Sequence, residues 1–369
     1  MEALAPPSHC RRRRPWQDLP SELLGLVLQR VPSHADRARS AARGAPPRLQ
    51  PALPALLPWL ALRDGSFLSL PDGEVHRRIL ILEDDVAHRV STGSTLFLVH
   101  RNDGCSLMNP LSRDATAPRC INLNTGPGVL VDTDNIRKVV VMSDHVVAVR
   151  TGHRMYLKDV IISICRPQSL TVEWRWSPPQ DTYSSVLDMA LFQGKLYVLT
   201  RNHFNVHPLR LYAMDIVGDN HVRVQCMLTT PKDGADAWYK TGTPCHYLVA
   251  SGDRLLMAKQ KRTGIEVFEA AGLSSGQGSW RKVHILMGRA LFLSEGCSES
   301  LPAGGNQHAG AQEDCIYFMS ERVAYDGRTR ECRSGVYDMR DGTVSPLPFE
   351  TTAAREGPFT ATWFFPADT

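Results

Sequence analysis

Beyond residue 58 the apolar residues of this chain fall in short runs separated by Gly, Asp and Asn, and no long segment repeats with the 3.6-residue period of an amphipathic helix. Ser66-Phe67-Leu68-Ser69-Leu70 runs into Pro-Asp-Gly. Leu96-Phe97-Leu98-Val99-His100 runs into Arg-Asn-Asp-Gly, and Lys138-Val139-Val140-Val141-Met142 into Ser143-Asp144-His145. Runs rich in β-branched and aromatic residues, punctuated by turn formers, predict β-strands. The spacing predicts a mainly β domain.

The strand runs repeat loosely. Ala190 to Leu199 reads as a hairpin across Gly194-Lys195, followed by the strand Leu209 to Asp215. Tyr247 to Met257 is a second hairpin, across Ser251-Gly252-Asp253, followed by Ile265 to Glu269. Cys315 to Met319 and Gly335 to Met339 form a third unit. An all-strand repeat of roughly forty to sixty residues is the pattern of propeller blades. Radial stacking suits such a unit because it buries the faces of each small sheet and leaves only short edges. The expected fold is a β-propeller of six or seven blades, with a β-sandwich as the structural rival. Ring closure then requires Phe359 to Phe365 to lie in the same blade as Trp59 to Leu62 or Ser66 to Leu70, or in an adjacent one. Ser298 to Gln312, rich in Gly, Ser and Asn, reads as a loop on one propeller face.

The first fifty residues follow a different pattern. Pro20 suits a first helical position, where its missing N–H has no intrahelical acceptor. Leu23, Leu24, Val27, Leu28 and Val31 then gather on one helical face. Ser33 and Asp36 form a capping signature for a second helix, which meets Gly44 and the stop Pro46-Pro47. The layout expected is a basic disordered tail (1–14), a helical module (15–44), a Pro-rich linker (45–57) and the β-propeller (58–369).

Trp16, Leu19-Pro20, Glu22-Leu23-Leu24 and Val31-Pro32 closely resemble the F-box, whose members dock a Skp-type adaptor and so join a cullin-based ubiquitin ligase. The residues carried over as adaptor-binding are Trp16, Leu19, Pro20, Leu23, Leu24, Val27, Leu28, Val31 and Pro32. The module is incomplete: the Val-Cys and Trp-Arg of the usual third helix have no counterpart between Ser33 and Pro46. Downstream, Pro58-Trp59-Leu60-Ala61-Leu62, Ser69-Leu70-Pro71, Leu107 to Leu111, Ala190 to Tyr197 and Trp363-Phe364-Phe365-Pro366 are similar to plant F-box proteins with a KIB-type β-propeller. The two resemblances together imply a plant protein whose propeller selects a partner. The implied function is a non-catalytic substrate-recognition subunit of an SCF-type ubiquitin ligase, in the nucleus and/or cytoplasm. Its partners would be a Skp-type adaptor, the cullin complex and an unknown target protein. The alternative is a ligase-independent scaffold or inhibitor that binds a partner through the propeller.

Charge changes this picture little. The first fifty residues carry nine Lys/Arg against four Asp/Glu, and the rest of the chain nets −1 within a total of +4. The domain is therefore not patterned for nucleic acid, and Arg11 to Arg14 read as a solvated tail. Nine cysteines, an odd number without a C-x-x-C pair, and the absence of an N-glycosylation acceptor point to a reduced intracellular chain. The longest apolar stretch, Leu53 to Leu62, is cut by Pro54 and Pro58, so no membrane association is expected.

Candidate chemistry is sparse. Gly272-Leu273-Ser274-Ser275-Gly276 fits the G-x-S-x-G nucleophile elbow, which makes a serine hydrolase using Ser274 a distant alternative; the elbow needs a following helix. His203 and His207 are four apart but precede Pro208, and Cys315, Cys332 and His308 lack metal-ligand spacing. No catalytic residue, metal or cofactor is assigned. Trp174 and Trp176 alternate on one strand and are expected to fill the space between blades. Trp238 and Tyr239, in the polar segment Lys232 to Gly242, are the candidate target-binding residues because aromatics carried on loops make natural hot spots.

Overall fold

In the computed structural model the described residues are 58–62, 66–69, 75–76, 86–101, 105–110, 136–143, 146–151, 161–166, 171–176, 184–202, 209–217, 221–229, 244–275, 278–303, 311–323, 330–347 and 361–366. They belong to a single unit, Leu57–Ala367. The tail, the helical module with all nine adaptor-binding candidates, the linker, His203, His207, Trp238, Tyr239 and His308 lie outside the described residues.

Six sheets form among the described residues, in ring order. Blade 1 holds β1 (Trp59–Ala61), β2 (Phe67–Ser69) and β3 (Val75–His76), completed by a strand from the chain end. Blade 2 holds β4 (Val86–Thr92), β5 (Thr95–His100) and β6 (Cys105–Met108). Blade 3 holds β7 (Ile136–Ser143), β8 (Val146–Thr151), β9 (Ile161–Arg166) and β10 (Thr171–Trp176). Blade 4 holds β11 (Ser184–Phe192), β12 (Lys195–Asn202), β13 (Arg210–Val217) and β14 (His221–Thr229). Blade 5 holds β15 (Cys245–Ser251), β16 (Arg254–Gln260), β17 (Ile265–Ala271) and β18 (Ser279–Val283). Blade 6 holds β19 (Arg289–Leu293), β20 (Glu299–Pro302), β21 (Cys315–Val323), β22 (Arg330–Asp338) and β23 (Val344–Ser345). The chain returns to blade 1 as β24 (Thr362–Phe364).

The leading strands of successive sheets touch in sequence: β24 against β4, β4 against β7, β7 against β11, β11 against β15, and β15 against β20. A β-sandwich has two sheets and no such succession, so the ring replaces it. The apolar runs lack strict alternation because both faces of an inner sheet are covered. On β16, Leu255 and Met257 pack with blade 4 while Leu256 and Ala258 pack with blade 6. Similar layers join blades 2 to 3, 3 to 4 and 6 to 1.

Closure follows the expected pairing. Strand β24 lies antiparallel to β1, with Trp59 opposite Phe364, Leu60 opposite Trp363 and Ala61 opposite Thr362. Trp59, Trp363 and Phe364 are fully buried. Trp363 donates through Nε1 to the Leu293 carbonyl at 3.0 Å, tying blade 1 to blade 6. The Thr362 and Ser91 hydroxyls, 2.9 Å apart, tie blade 1 to blade 2.

Three details differ from the sequence reading. The β11–β12 turn is Gln193-Gly194, both at positive φ (48° and 75°), with Lys195 already paired to Phe192; two left-handed residues match the twist of a tight hairpin. Part of the expected loop 298–312 is strand β20, paired antiparallel with β19. Glu299-Ser300-Leu301-Pro302 carries little strand propensity, and its pairing comes from tertiary context. Finally, β19 and β21 run parallel, with Leu291 opposite Ile316, where a simple meander would be antiparallel.

Candidate functional site: the polar axis of the ring

The strands that lead blades 2, 3 and 4 share a local irregularity. Each has a register shift near its start: between Val86 and His88, between Ile136 and Lys138, and between Val186 and Asp188. The three positions recur every 50 residues. A bulge inserts one unpaired residue and re-aims the side chain that follows it. In blades 3 and 4 the re-aimed side chains meet across the blade boundary.

Lys138 donates from Nζ to Asp188 Oδ1 at 2.8 Å, with both side chains about 95% buried. The same carboxylate accepts from its own neighbour Met189 N at 2.8 Å and, through Oδ2, from Leu248 N on β15 at 2.7 Å. One carboxylate thus joins three consecutive blades. A charge this deep is tolerated because it is paired and its oxygens accept further hydrogen bonds.

Glu299, at the start of β20, faces the same interior. Burial raises its carboxyl from 4.5 to about 7, and Lys138 acts in the opposite sense. Cys297 is buried beside it, and burial with the Glu299 charge pushes its thiol up to about 12, so it stays protonated. Its Sγ accepts from Gly93 N at 3.3 Å, and Gly93 O accepts from Phe365 N at 3.0 Å. Gly93 sits at φ 60°, and an added Cβ there would lie 2.9 Å from Glu299 Oε1. The β4–β5 turn is therefore a junction of blades 1, 2 and 6 that only glycine fits. The Tyr247 phenol is raised well above its ordinary value, first by burial and then by Cys245, Glu295 and Asp188.

The sequence candidates distribute as follows. Ser274 is exposed in a single 3-10 turn, Leu273–Ser275, and the chain resumes as β18. The elbow's strand–turn–helix context is not formed, because the segment connects two strands of one blade. Trp176 packs its ring 5.3 Å from Tyr212 of blade 4, filling the space between blades 3 and 4. Trp174 lies on the same strand, next to a register shift. Cys315 is buried, and no group of metal-ligating side chains occurs among the described residues. Asp188 and Lys138 were missed. The available signal was an acid interrupting the apolar run Val186-Leu187-Asp188-Met189-Ala190, matched 50 residues earlier by Lys138.

The ring of small radially stacked sheets, closed by pairing of the first and last strands, defines a β-propeller. The family described as KIB1-4 beta-propeller matches residues 67–338, and the chain belongs to it. No curated protein matches the chain. Solved structures similar to it include oligopeptidase B from Trypanosoma brucei, at 13% identity and TM-score 0.34, covering 74% of this chain and 35% of that one. The acylaminoacyl peptidase of Pyrococcus horikoshii is similar at 11% identity and TM-score 0.37, over 76% and 40%. The Cps50 (Swd1) beta-propeller domain of Myceliophteria thermophila is similar at 10% identity and TM-score 0.36, over 75% and 80%. The chain spans less than half the length of the two peptidases.

Proposed function

We propose that this protein is a non-catalytic substrate-recognition subunit of an SCF-type, cullin-based ubiquitin ligase. The segment 15–44 docks a Skp-type adaptor, and the propeller holds the target protein for ubiquitin transfer by a separate enzyme. One combination carries the reading: an F-box-like apolar helical face placed ahead of a propeller suited to protein–protein interaction. The chemistry asked of this chain is positioning alone. Leu23, Leu24, Val27, Leu28 and Val31 form a face suited to docking in an apolar groove, with Trp16, Leu19, Pro20 and Pro32 at its borders. Trp238 and Tyr239 are the target-contact candidates. The missing third helix favours a second reading, in which the propeller serves a ligase-independent scaffold or inhibitor.

Tagged full-length chain expressed in cells distinguishes the two. Co-purification of a Skp-type adaptor and a cullin, lost on replacing Leu23 and Leu24 with Asp, supports the ligase subunit. Neither protein co-purifying with the wild-type chain replaces it with the scaffold.

A further inference from the structure

Blades 4 and 5 pack through an apolar layer that includes Tyr197 and Leu199 of β12, Leu248 of β15, and Leu255 and Met257 of β16. Side chains on a strand alternate between faces, so positions two residues further along point into the same layer. Extending each strand puts Arg201 of β12, His246 of β15 and Lys259 of β16 on that side. The pairing agrees. Lys259 lies directly opposite His246, and Ser185 directly opposite Arg201. At one end, therefore, the layer changes from apolar side chains to Ser185, Arg201, His246 and Lys259.

These four groups have an unusual balance of partners. Ser185 is fully buried and His246 is 7% exposed, yet Ser185 Oγ and His246 Nδ1 make no hydrogen bond. Buried polar atoms are normally satisfied, and an exception calls for a missing partner. Arg201 and Lys259 are partly exposed, and among the described residues neither forms an ion pair. The influences on His246 beyond burial are Arg201 and Lys259, both lowering it, with the Pro244 carbonyl acting the other way; its imidazole falls to about 3 and is neutral. Burial lowers Arg201 as well, and Cys245, not a carboxylate, is what opposes that. Two cations without a carboxylate partner and two unpaired buried polar atoms thus stand at one end of the layer between blades 4 and 5.

We infer that Ser185, Arg201 and Lys259, with His246 beside them, form a binding site for a phosphoryl group, presented to the propeller by a phosphorylated side chain of the partner protein. A phosphate monoester brings close to two negative charges and three strong acceptor oxygens. The Arg201 fork can hold two of those oxygens, Lys259 supplies a point charge, and the serine hydroxyl is a neutral donor. A single carboxylate would leave part of this set unpaired. That the phosphate arrives on a partner rests on the partner-binding reading above; that the site takes a phosphoryl group does not.

The full-length chain is titrated with inorganic phosphate, with a Gly-flanked phosphoserine peptide and with its unphosphorylated form, at constant ionic strength, following binding by calorimetry and by the rise in melting temperature. Saturable binding of the phosphopeptide but not its parent is expected, weakened tenfold or more by Arg201→Gln and by Lys259→Gln. Arg223→Gln, the same charge change at an exposed site on β14, is expected to leave it unchanged. Lys259 is partly exposed, so Lys259→Gln decides the matter even if Arg201→Gln fails to fold. Saturable binding of inorganic phosphate alone supports the phosphoryl site and assigns it to the free ion. No saturable binding, or equal loss in Arg223→Gln, overturns the assignment. Neither result depends on whether an adaptor binds.

Discussion

Replacing Asp188 with Ala removes a carboxylate that serves three blades at once. Lys138, 4% exposed, loses the partner 2.8 Å away, and the Met189 and Leu248 amides lose their acceptor. Breaking a buried ion pair from one side costs about 3–5 kcal/mol, because the remaining charge stays desolvated. Each stranded buried amide adds roughly 1–3 kcal/mol if water cannot reach it. The expected total is at least about 4 kcal/mol, a large part of the roughly 5–15 kcal/mol that holds a typical domain folded. At roughly 2–4 °C per kcal/mol the melting temperature should fall by about 10 °C. Asp188→Asn keeps the shape and one acceptor oxygen, and should cost less. A Lys138→Met, Asp188→Leu double variant should recover the part owed to the stranded lysine, since an apolar pair leaves no buried charge, while the Met189 and Leu248 amides stay without their acceptor. Thermal unfolding by circular dichroism reads all three. If Asp188→Ala melts within about 2 °C of the wild type, the axial carboxylate does not link the blades.

Deleting Phe359 to Thr369 should open the ring: blade 1 loses β24 with the buried Trp363 and Phe364, and β1 becomes an apolar edge. Sedimentation should show aggregate, and a monomer with the wild-type melting temperature would refute closure as the source of stability. The pH dependence of stability should show two opposed windows. Between about 4.5 and 7 the folded chain keeps a proton on Glu299 that the unfolded chain releases, so stability falls as pH rises. Between about 3 and 6.5 the unfolded chain protonates His246 and the folded chain does not, so stability rises with pH. Just above pH 6.5 Glu299 acts without that opposition, and Glu299→Gln should flatten the remaining fall in melting temperature. An unchanged slope would show that Glu299 is ionised throughout.

The hairpins of blades 4 and 5 were legible because their apolar runs flank Gly-containing turns, and ring closure was legible because aromatic runs stand at both ends of the propeller sequence. The bulged strands of blades 2 to 4 were harder to read. Each carries His88, Lys138 or Asp188 where an apolar residue would continue the pattern, and the extra residue shifts the alternation. Strand β20 was invisible for a related reason, since Glu299-Ser300-Leu301-Pro302 is a strand only because β19 lies beside it. The residues Arg201, His246 and Lys259 are ordinary polar strand ends in sequence. Their convergence depends on which face each strand presents to the next blade, and a linear pattern does not carry that.

We propose that the segment ahead of this propeller delivers it to a ligase. Purified full-length chain mixed with a purified Skp-type adaptor and resolved by size-exclusion chromatography with light scattering tests it most directly. A one-to-one complex is expected, absent for the chain carrying Leu23→Asp and Leu24→Asp because two unpaired charges on the docking face would have to be desolvated, while the propeller of that chain melts as in the wild type. Two separately eluting proteins at concentrations where an F-box protein with its third helix forms a complex would contradict it.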